Sequence, residues 1–332
     1  MPPFAVKSGL KWDAGTYVDI AQNGYYLFRC SDQPGIVLPG TPEGAWCGNA
    51  GWFPLYPMLT RVLHVTGLPY DVAAYLLSLA ALYGSLVLLW RLLGFRRPLW
   101  LALAALLPGA VYHHLTYPIS LGTLALLGAV AALRARSWPW AAVCAAVGAA
   151  AYPNTGVLVA VIPVAVAVLW RRWLPAVAAF LIGVTGWIFT AVVFWLDAGR
   201  PDAYFLIQAK YGNGLHNPLA TASRLLAGGA RLETKLSFLA ALALSALVLL
   251  AFFRVRPPER TEYAVLVALT LGLLVIPLVA GPSVSAYRSH ALLVPAVLAL
   301  RELPVWFAAR VTSVSAVVAG SIAVNFYAGL LP

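Results

Sequence analysis

The sequence predicts an all-α, polytopic integral membrane protein. Of its 332 residues, 62% are hydrophobic and only 10% are charged, and the mean hydropathy is +0.84. That much apolar surface cannot be hidden in the core of one water-soluble domain. The apolar stretches are long and rich in Leu, Ala and Val, and they do not alternate with polar residues, so they indicate membrane-spanning helices rather than strands.

About ten stretches are apolar enough to be transmembrane helices. The candidate spans are 72–93, 99–117, 119–134, 139–153, 155–170, 174–196, 236–253, 263–281, 289–300 and 305–328. Several are shorter than the ~20 residues that an upright span needs. The pair between 139 and 170 is therefore also consistent with one broken unit bent at Pro153.

The spans divide a single membrane domain, 1–332, into parts. These are an extracytoplasmic segment at 1–70, a first helix group at 72–196, an extracytoplasmic loop at 197–235 and a second helix group at 236–332. Within the loop, 203–209 and 218–226 are amphipathic, which predicts short helices lying on the membrane surface.

The orientation follows from the arginines in the short loops. Alternate loops, which all lie on one side of the membrane, carry Arg91, Arg96, Arg97, Arg134, Arg136, Arg171, Arg172, Arg254, Arg256, Arg260, Arg301 and Arg310. By the positive-inside rule this side is cytoplasmic. The net charge of +11 is then explained by the arginines of the cytoplasmic loops. It gives no support for binding nucleic acid, which would need a solvated basic patch.

Asp13 is the leading candidate for a chemical role. It follows Trp12 directly, and Tyr17, Ile20 and Gly24 come after it at helical spacing. The stretch therefore predicts a short helix whose first turn presents the carboxylate. An Asp in this position is also a common N-cap, and the local pattern alone favours capping.

Three further polar clusters are predicted on the extracytoplasmic side, and each has a structural alternative. His113-His114 would suit a metal pair with Asp13, but adjacent histidines point to different faces of a helix, which favours a hydrogen-bonding role. The turn around Asn154 is also explained as a helix break. Arg288, at the outer end of a span, either reaches the lipid headgroups or holds a phosphate.

The chain resembles GPI mannosyltransferase II-like proteins of the GT-C superfamily of membrane glycosyltransferases. The most specific part is the first-loop pattern Trp12-Asp13, Tyr17, Ile20-Ala21 and Gly24-Tyr25, followed by Trp52-Phe53-Pro54-Leu55-Tyr56-Pro57. Weaker similarities follow at 116–121, 148–156, 208–212 and 285–295. Two positions depart from the family pattern: Pro118-Ile119 replaces an acidic residue, and Tyr152 stands where an arginine often precedes the asparagine.

The resemblance implies a GT-C-like bundle and an inverting glycosyltransferase in the plasma (inner) membrane, with an extracytoplasmic active site. The donor would be a polyprenyl-phosphate sugar carrying mannose or another hexose or pentose, and the acceptor a lipid or a surface glycan. Asp13 would be the general base, and Arg288, Arg224, Lys210 or Arg61 would neutralise the leaving phosphate. The remaining candidate substrate-binding residues are Trp12, Tyr17, His113, Tyr117, Asn154, Gln208, Tyr211, His216 and Tyr287.

The sequence establishes no cofactor; a divalent metal is left open, although no metal-ligand motif is identified. Two other functions also remain open. A transporter or flippase of a lipid-linked substrate would need the same helices and helix breaks, and the two departures leave room for an inactive subunit that kept the fold.

Cys30 and Cys47 lie in the same predicted extracytoplasmic segment, where disulfides form readily. A bridge between them would stabilise the segment by roughly 3 kcal/mol on the chain-entropy model. We predict this disulfide and a free Cys144 within a span, the alternative being that the two cysteines share a segment by coincidence.

Overall fold

A computed structural model describes residues 10–33, 41–227, 231–256, 259–281 and 286–330, and these residues are predominantly helical. The α-helices are α1 Ala14–Asn23, α2 Leu55–His64, α3 Tyr70–Leu92, α4 Pro98–Ala105, α5 Ile119–Arg134, α6 Trp138–Ala151, α7 Val157–Trp170, α8 Trp173–Ala198, α9 Ala203–Lys210, α10 Pro218–Leu226, α11 Leu232–Arg254, α12 Arg260–Ala280, α13 Ala286–His290, α14 Val294–Ala299 and α15 Val305–Tyr327. Short 3-10 helices are Cys30–Asp32, Ala110–His114, Pro153–Gly156 and Leu300–Glu302.

Six helical segments within the described ranges are long and apolar enough to cross a membrane. They are Tyr70–Leu92, Pro153–Trp170, Trp173–Ala198, Leu232–Arg254, Arg260–Ala280 and Val305–Tyr327. Two shorter apolar helices, α5 and α6, join them. Large apolar side chains such as Leu181, Ile188 and Trp195 stand exposed along α8, as expected of a surface that faces lipid. The chain is therefore a multi-pass, all-α membrane protein.

The predicted span at 99–117 is wrong. Helix α4 has only 8 residues, and the chain then turns at Gly109, which has a positive φ of 81°. A Cβ on Gly109 would lie 2.0 Å from the carbonyl oxygen of Tyr287. Glycine is thus required both for the turn and for this close approach of two backbones.

The predicted span at 289–300 is also wrong as a single helix. It consists of the end of α13, the short helix α14 and the start of the 3-10 turn Leu300–Glu302. All the side chains from Ser289 to Leu300 are buried. Irregular backbone at this depth is tolerated because protein surrounds it. This segment is apolar because it lies in the protein core.

The predicted break between the two helices at 139–170 lies at Pro153. Helix α6 ends at Ala151, the 3-10 turn Pro153–Gly156 follows, and α7 begins at Val157. Small residues let the neighbouring helices approach closely: a Cβ on Gly186 of α8 would lie 2.1 Å from the carbonyl oxygen of Ala146. Such contacts are typical of helix packing in membranes.

The segment before α3 is folded around a disulfide and a two-stranded ribbon. Strands β1 Leu27–Arg29 and β2 Trp46–Gly48 pair antiparallel. Cys30 and Cys47 are bonded, with their Cα atoms 5.0 Å apart. The predicted disulfide is confirmed, and Cys144 is free, within α6.

The loop between α8 and α11 contains the two predicted short helices. Helix α9 covers Ala203–Lys210 and α10 covers Pro218–Leu226. Asn217 caps α10, its side-chain oxygen accepting from the amides of Leu219 and Ala220. The capping residue followed by Pro218 at the first helical position explains why the helix begins there.

Arginines and glutamates from distant parts of the chain meet at the end of the bundle where α5 ends and α12 begins. One oxygen of Glu262 accepts hydrogen bonds from Arg134 and Arg301. Arg134 also donates to the carbonyl of Leu92, at the end of α3, and Glu302 pairs with Arg97. We call Arg97, Arg134, Glu262, Arg301 and Glu302 the basic-end network.

Candidate functional site

The candidate site is built on an ion pair between Asp13 and Arg288, which lie 275 positions apart in the sequence. Asp13 stands just before α1, and its carbonyl accepts from the amides of Thr16 and Tyr17. Its carboxylate makes no capping hydrogen bond and instead accepts from a terminal nitrogen of Arg288. The capping alternative is therefore wrong, and the carboxylate is directed at the guanidinium.

Two tyrosine rings hold the guanidinium of Arg288. Its central carbon lies 5.3 Å from the ring centre of Tyr112 and 5.2 Å from that of Tyr117. The Arg288 side chain is 12% exposed and that of Asp13 is 32% exposed. Cation–π contacts of this kind stabilise a buried cation without neutralising it. Because Asp13 is the more exposed of the two side chains, the site is accessible mainly from the side of Asp13.

Part of the hydrogen-bonding capacity of Arg288 is unused. Its Nε is buried and finds no hydrogen-bond partner in the part of the chain that the structure describes. A buried donor without a partner costs free energy, and such exceptions call for an explanation. A ligand anion beside Arg288 would supply one.

Further tyrosines pack around the pair. The ring of Tyr17 meets those of Tyr56 and Tyr117 edge to face, at 5.4 and 5.9 Å, and Tyr287 stacks on Tyr112 at 5.8 Å. Burial, and then the negative charge of groups that include Asp13, raise the pKa of Tyr17 well above its usual value. Its phenol is thus neutral at physiological pH.

Trp12 and Lys11 form the rim beside Asp13. Trp12 has φ +56°, a conformation that is uncommon for a bulky residue and often found at functional sites, and its indole is 46% exposed. The carbonyl of Lys11 accepts from the Tyr117 hydroxyl at 3.3 Å, and the Lys11 ammonium donates to the carbonyl of Tyr327 at 2.5 Å. These contacts hold Lys11, and with it the backbone that leads to Asp13, in place.

The 3-10 turn that begins at Pro153 supports the other half of the pair. The side-chain amide of Asn154 donates to the hydroxyl of Ser289, next to Arg288, at 2.5 Å. Asn154 therefore positions the short helix that carries the guanidinium. Burial raises the pKa of the neighbouring Tyr152, with the charge of Arg288 opposing and that of Asp13 adding to the shift.

His113 is not brought to this site. It is 3% exposed, and its two ring nitrogens lie 3.2 Å from the Ser120 hydroxyl and 3.2 Å from the carbonyl of Ala291. Burial lowers the pKa of His113 to about 4, so the ring is neutral. A hydrogen-bonding role within the core corrects the prediction that it contacts substrate.

The described residues contain no group of three or more His, Cys, Asp or Glu side chains able to hold a metal.

Arg61 lies at the opposite end of α1. Its guanidinium donates to the carbonyls of Ala21 and Ile20 at 2.9 and 3.1 Å. Since Asp13 and Ile20 are seven residues apart on one helix, about 10 Å of helix rise separates the two ends. Arg61 is therefore not part of the Asp13 cluster.

The candidates from the α8–α11 loop are not brought to Asp13 either. Gln208 donates to the carbonyl of Gly51 at 3.2 Å, and the Lys210 ammonium lies 3.9 Å from the Cys47 sulfur and 4.7 Å from the ring centre of Tyr211. His216 contacts the carbonyl of Gly212 at 2.9 Å, and Arg224 is exposed on α10. Gln208 and Lys210 thus join the loop to the disulfide-bonded ribbon.

Sequence reasoning missed three residues near the pair, namely Tyr112, Tyr152 and Ser289. All three stand in polar clusters that the alternating loops predict on one side of the membrane. A signal was therefore present, because Tyr112 and Tyr152 each lie in a break between two apolar helices. Chemically, the arrangement offers a proton acceptor next to a cation with an unused donor, among the rings of Tyr112 and Tyr117. No family model, no curated protein and no solved structure matches this chain.

Proposed function

We propose that the protein transfers a sugar from a polyprenyl-phosphate sugar to a hydroxyl of a lipid or surface glycan, with inversion at the anomeric carbon. The observation that carries the proposal is the contact between Asp13 and Arg288. Inverting transfer needs a base for the acceptor proton and a cation for the phosphate that leaves. Both are present here in one ion pair.

The ion pair suits an exchange of partners when the donor binds. Without a ligand, Arg288 holds the Asp13 carboxylate in an ion pair. The donor phosphate would compete for the guanidinium, because arginine binds phosphate through paired hydrogen bonds. Asp13 would then be released toward the acceptor at the moment when a base is needed.

In the transfer step, the acceptor oxygen attacks the anomeric carbon from the face opposite the phosphate. The new carbon–oxygen bond forms as the bond to the phosphate breaks. The acceptor proton goes to Asp13, and the polyprenyl phosphate leaves with its negative charge next to Arg288. The exposed indole of Trp12 would provide an apolar surface beside Asp13.

We propose that the Asp13–Arg288 pair lies at the extracytoplasmic face of the plasma (inner) membrane. The arginine-rich loops support this orientation through the positive-inside rule, as does the gathering of Arg97, Arg134 and Arg301 in the basic-end network. Single cysteines at the exposed positions 96 and 215, in a Cys144→Ser background, would test it. An impermeant thiol reagent added to intact cells should label Leu215→Cys and leave Arg96→Cys unlabelled; the reverse pattern would exclude this orientation.

The decisive test of the function uses purified protein in liposomes with a labelled polyprenyl-phosphate mannose and a lipid acceptor extract. We expect labelled glycolipid from the wild type and at least ~100-fold less from Asp13→Asn, the lower end of what a positioned base contributes. If the wild type moved the intact donor between leaflets without cleaving it, the protein would be a transporter. If it did neither, the proposal would fail.

A further inference from the structure

A pocket separate from the Asp13–Arg288 pair opens at the other end of α1. It has a volume of about 120 Å³, well above the roughly 10–15 Å³ that one water molecule needs on the same measure. It lies between α1, α2 and the end of α8, and its charged lining residues are Arg61 and Asp197. Neither residue has a role in the proposed sugar transfer.

The two charges line one pocket without neutralising each other. No ion pair joins Arg61 and Asp197 in the described part of the chain, although six ion pairs occur elsewhere in it. One carboxylate oxygen of Asp197 accepts only a long, 3.3 Å bond from the Tyr25 amide. Arg61 uses Nε and one terminal nitrogen on carbonyls of α1. One terminal nitrogen and one carboxylate oxygen are therefore available to a ligand.

The pocket lies beside surface that faces the membrane. Asp197 is in the last turn of α8, a helix long enough to span, and Trp195 and Leu196 next to it are 61% and 73% exposed. On α2, Met58 and Val62 are exposed one turn apart. Tryptophan near the end of a span marks the level of the headgroups, so the pocket opens where a headgroup sits and an acyl chain can follow α8.

We infer that this pocket binds the headgroup of phosphatidylethanolamine, with the phosphate at Arg61 and the ammonium at Asp197. An arginine with a free terminal nitrogen suits a phosphate. A carboxylate oxygen with an unused lone pair needs an N–H donor, which a primary ammonium has and a choline headgroup lacks.

Native mass spectrometry of the full chain in detergent would test this inference with three lipids of identical acyl chains. We expect phosphatidylethanolamine to bind at least ~10-fold more tightly than phosphatidylcholine or phosphatidylglycerol, as one charge-assisted hydrogen bond allows. Asp197→Asn should abolish the preference over phosphatidylcholine while keeping a bond to the Tyr25 amide. The matched control is Asp202→Asn, an exposed aspartate paired with Arg200, which should bind like the wild type.

Soluble O-phosphoethanolamine separates a lipid site from a site for a small metabolite. It should compete at least ~10-fold less well than the lipid, because it lacks the chains that would lie along α8. Equal competition would overturn the lipid assignment. An unchanged preference in Asp197→Asn, or no preference in the wild type, would overturn the headgroup assignment, and none of these outcomes depends on sugar transfer.

Discussion

The basic-end network and the Asp13–Arg288 pair both join arginine to a carboxylate, but they are built differently. In the basic-end network, one oxygen of Glu262 accepts three hydrogen bonds at 2.6 to 3.0 Å from Arg134 and Arg301. A further nitrogen of Arg134 donates to the carbonyl of Leu92 at 2.7 Å. Three of the five N–H donors of Arg134 are thus used within the protein, and the network fastens the ends of α3, α5 and α12.

The Asp13–Arg288 pair is open by comparison. Its guanidinium meets one carboxylate oxygen, lies against the rings of Tyr112 and Tyr117, and leaves a buried Nε without a hydrogen-bond partner among the described residues. Contacts with the rings hold a cation in place without neutralising it. The difference fits a stabilising role for the first pair, and for the second it fits the proposed binding of the donor phosphate.

The largest effect is expected from Asp13→Asn. Asparagine keeps the shape of the side chain but cannot accept the proton, so the transfer rate should fall by at least ~100-fold while the protein still folds. Initial rates in liposomes, together with the melting temperature in detergent, would separate these two effects.

Loss of folding in Asp13→Asn would instead mean that the pair is a structural clamp like the basic-end network. Arg288→Gln combined with Asp13→Asn then becomes informative. If the pair is structural, removing both charges should restore part of the stability that Asp13→Asn alone loses. If the pair is catalytic, the double variant should stay inactive.

The second effect is expected from Glu262→Gln. The amide retains an acceptor but loses its charge, leaving Arg134 and Arg301 as neighbouring cations, and we expect the free energy of unfolding to fall by about 2 kcal/mol. Denaturation in mixed micelles would measure this change. Transfer per folded molecule should stay within ~3-fold of the wild type, and a larger loss would contradict the division between the two pairs.

The third effect is expected from Arg288→Lys. Lysine keeps the charge but loses the planar fork and the stacking between Tyr112 and Tyr117. We expect KM for the donor to rise by about 10-fold, near 1.4 kcal/mol, with a smaller change in kcat. An unchanged KM would show that Arg288 does not hold the donor phosphate.

The long helices could be predicted from the sequence because a long apolar run has few alternatives to a span. The runs at 99–117 and 289–300 were misjudged because hydropathy measures apolarity and not whether lipid or protein surrounds a segment. In the run at 99–117, the chain turns at Gly109, close to the carbonyl oxygen of Tyr287. Only the folded chain makes this contact.

The two charged residues of the pair could be singled out from the sequence, but their pairing could not. Asp13 and Arg288 both stand out in the sequence as charges next to aromatic residues. Nothing local shows that they meet, since they are 275 positions apart and the contact depends on the packing of several helices. Arg61 was grouped with them because its charge fits a phosphate, and the structure places it at the far end of α1.

The smallest effect is expected from Asp19→Asn, the matched control for Asp13→Asn on the same helix. The Asp19 carboxylate accepts from the amide of Asn23 at 2.7 Å and from that of Asn49 at 3.1 Å. An asparagine here keeps one acceptor and loses the other, so we expect about 1 kcal/mol of stability to be lost and the transfer rate to stay within ~3-fold of the wild type. If Asp19→Asn abolished transfer while Asp13→Asn remained active, the base would be Asp19, and the open pair at Arg288 would need another explanation.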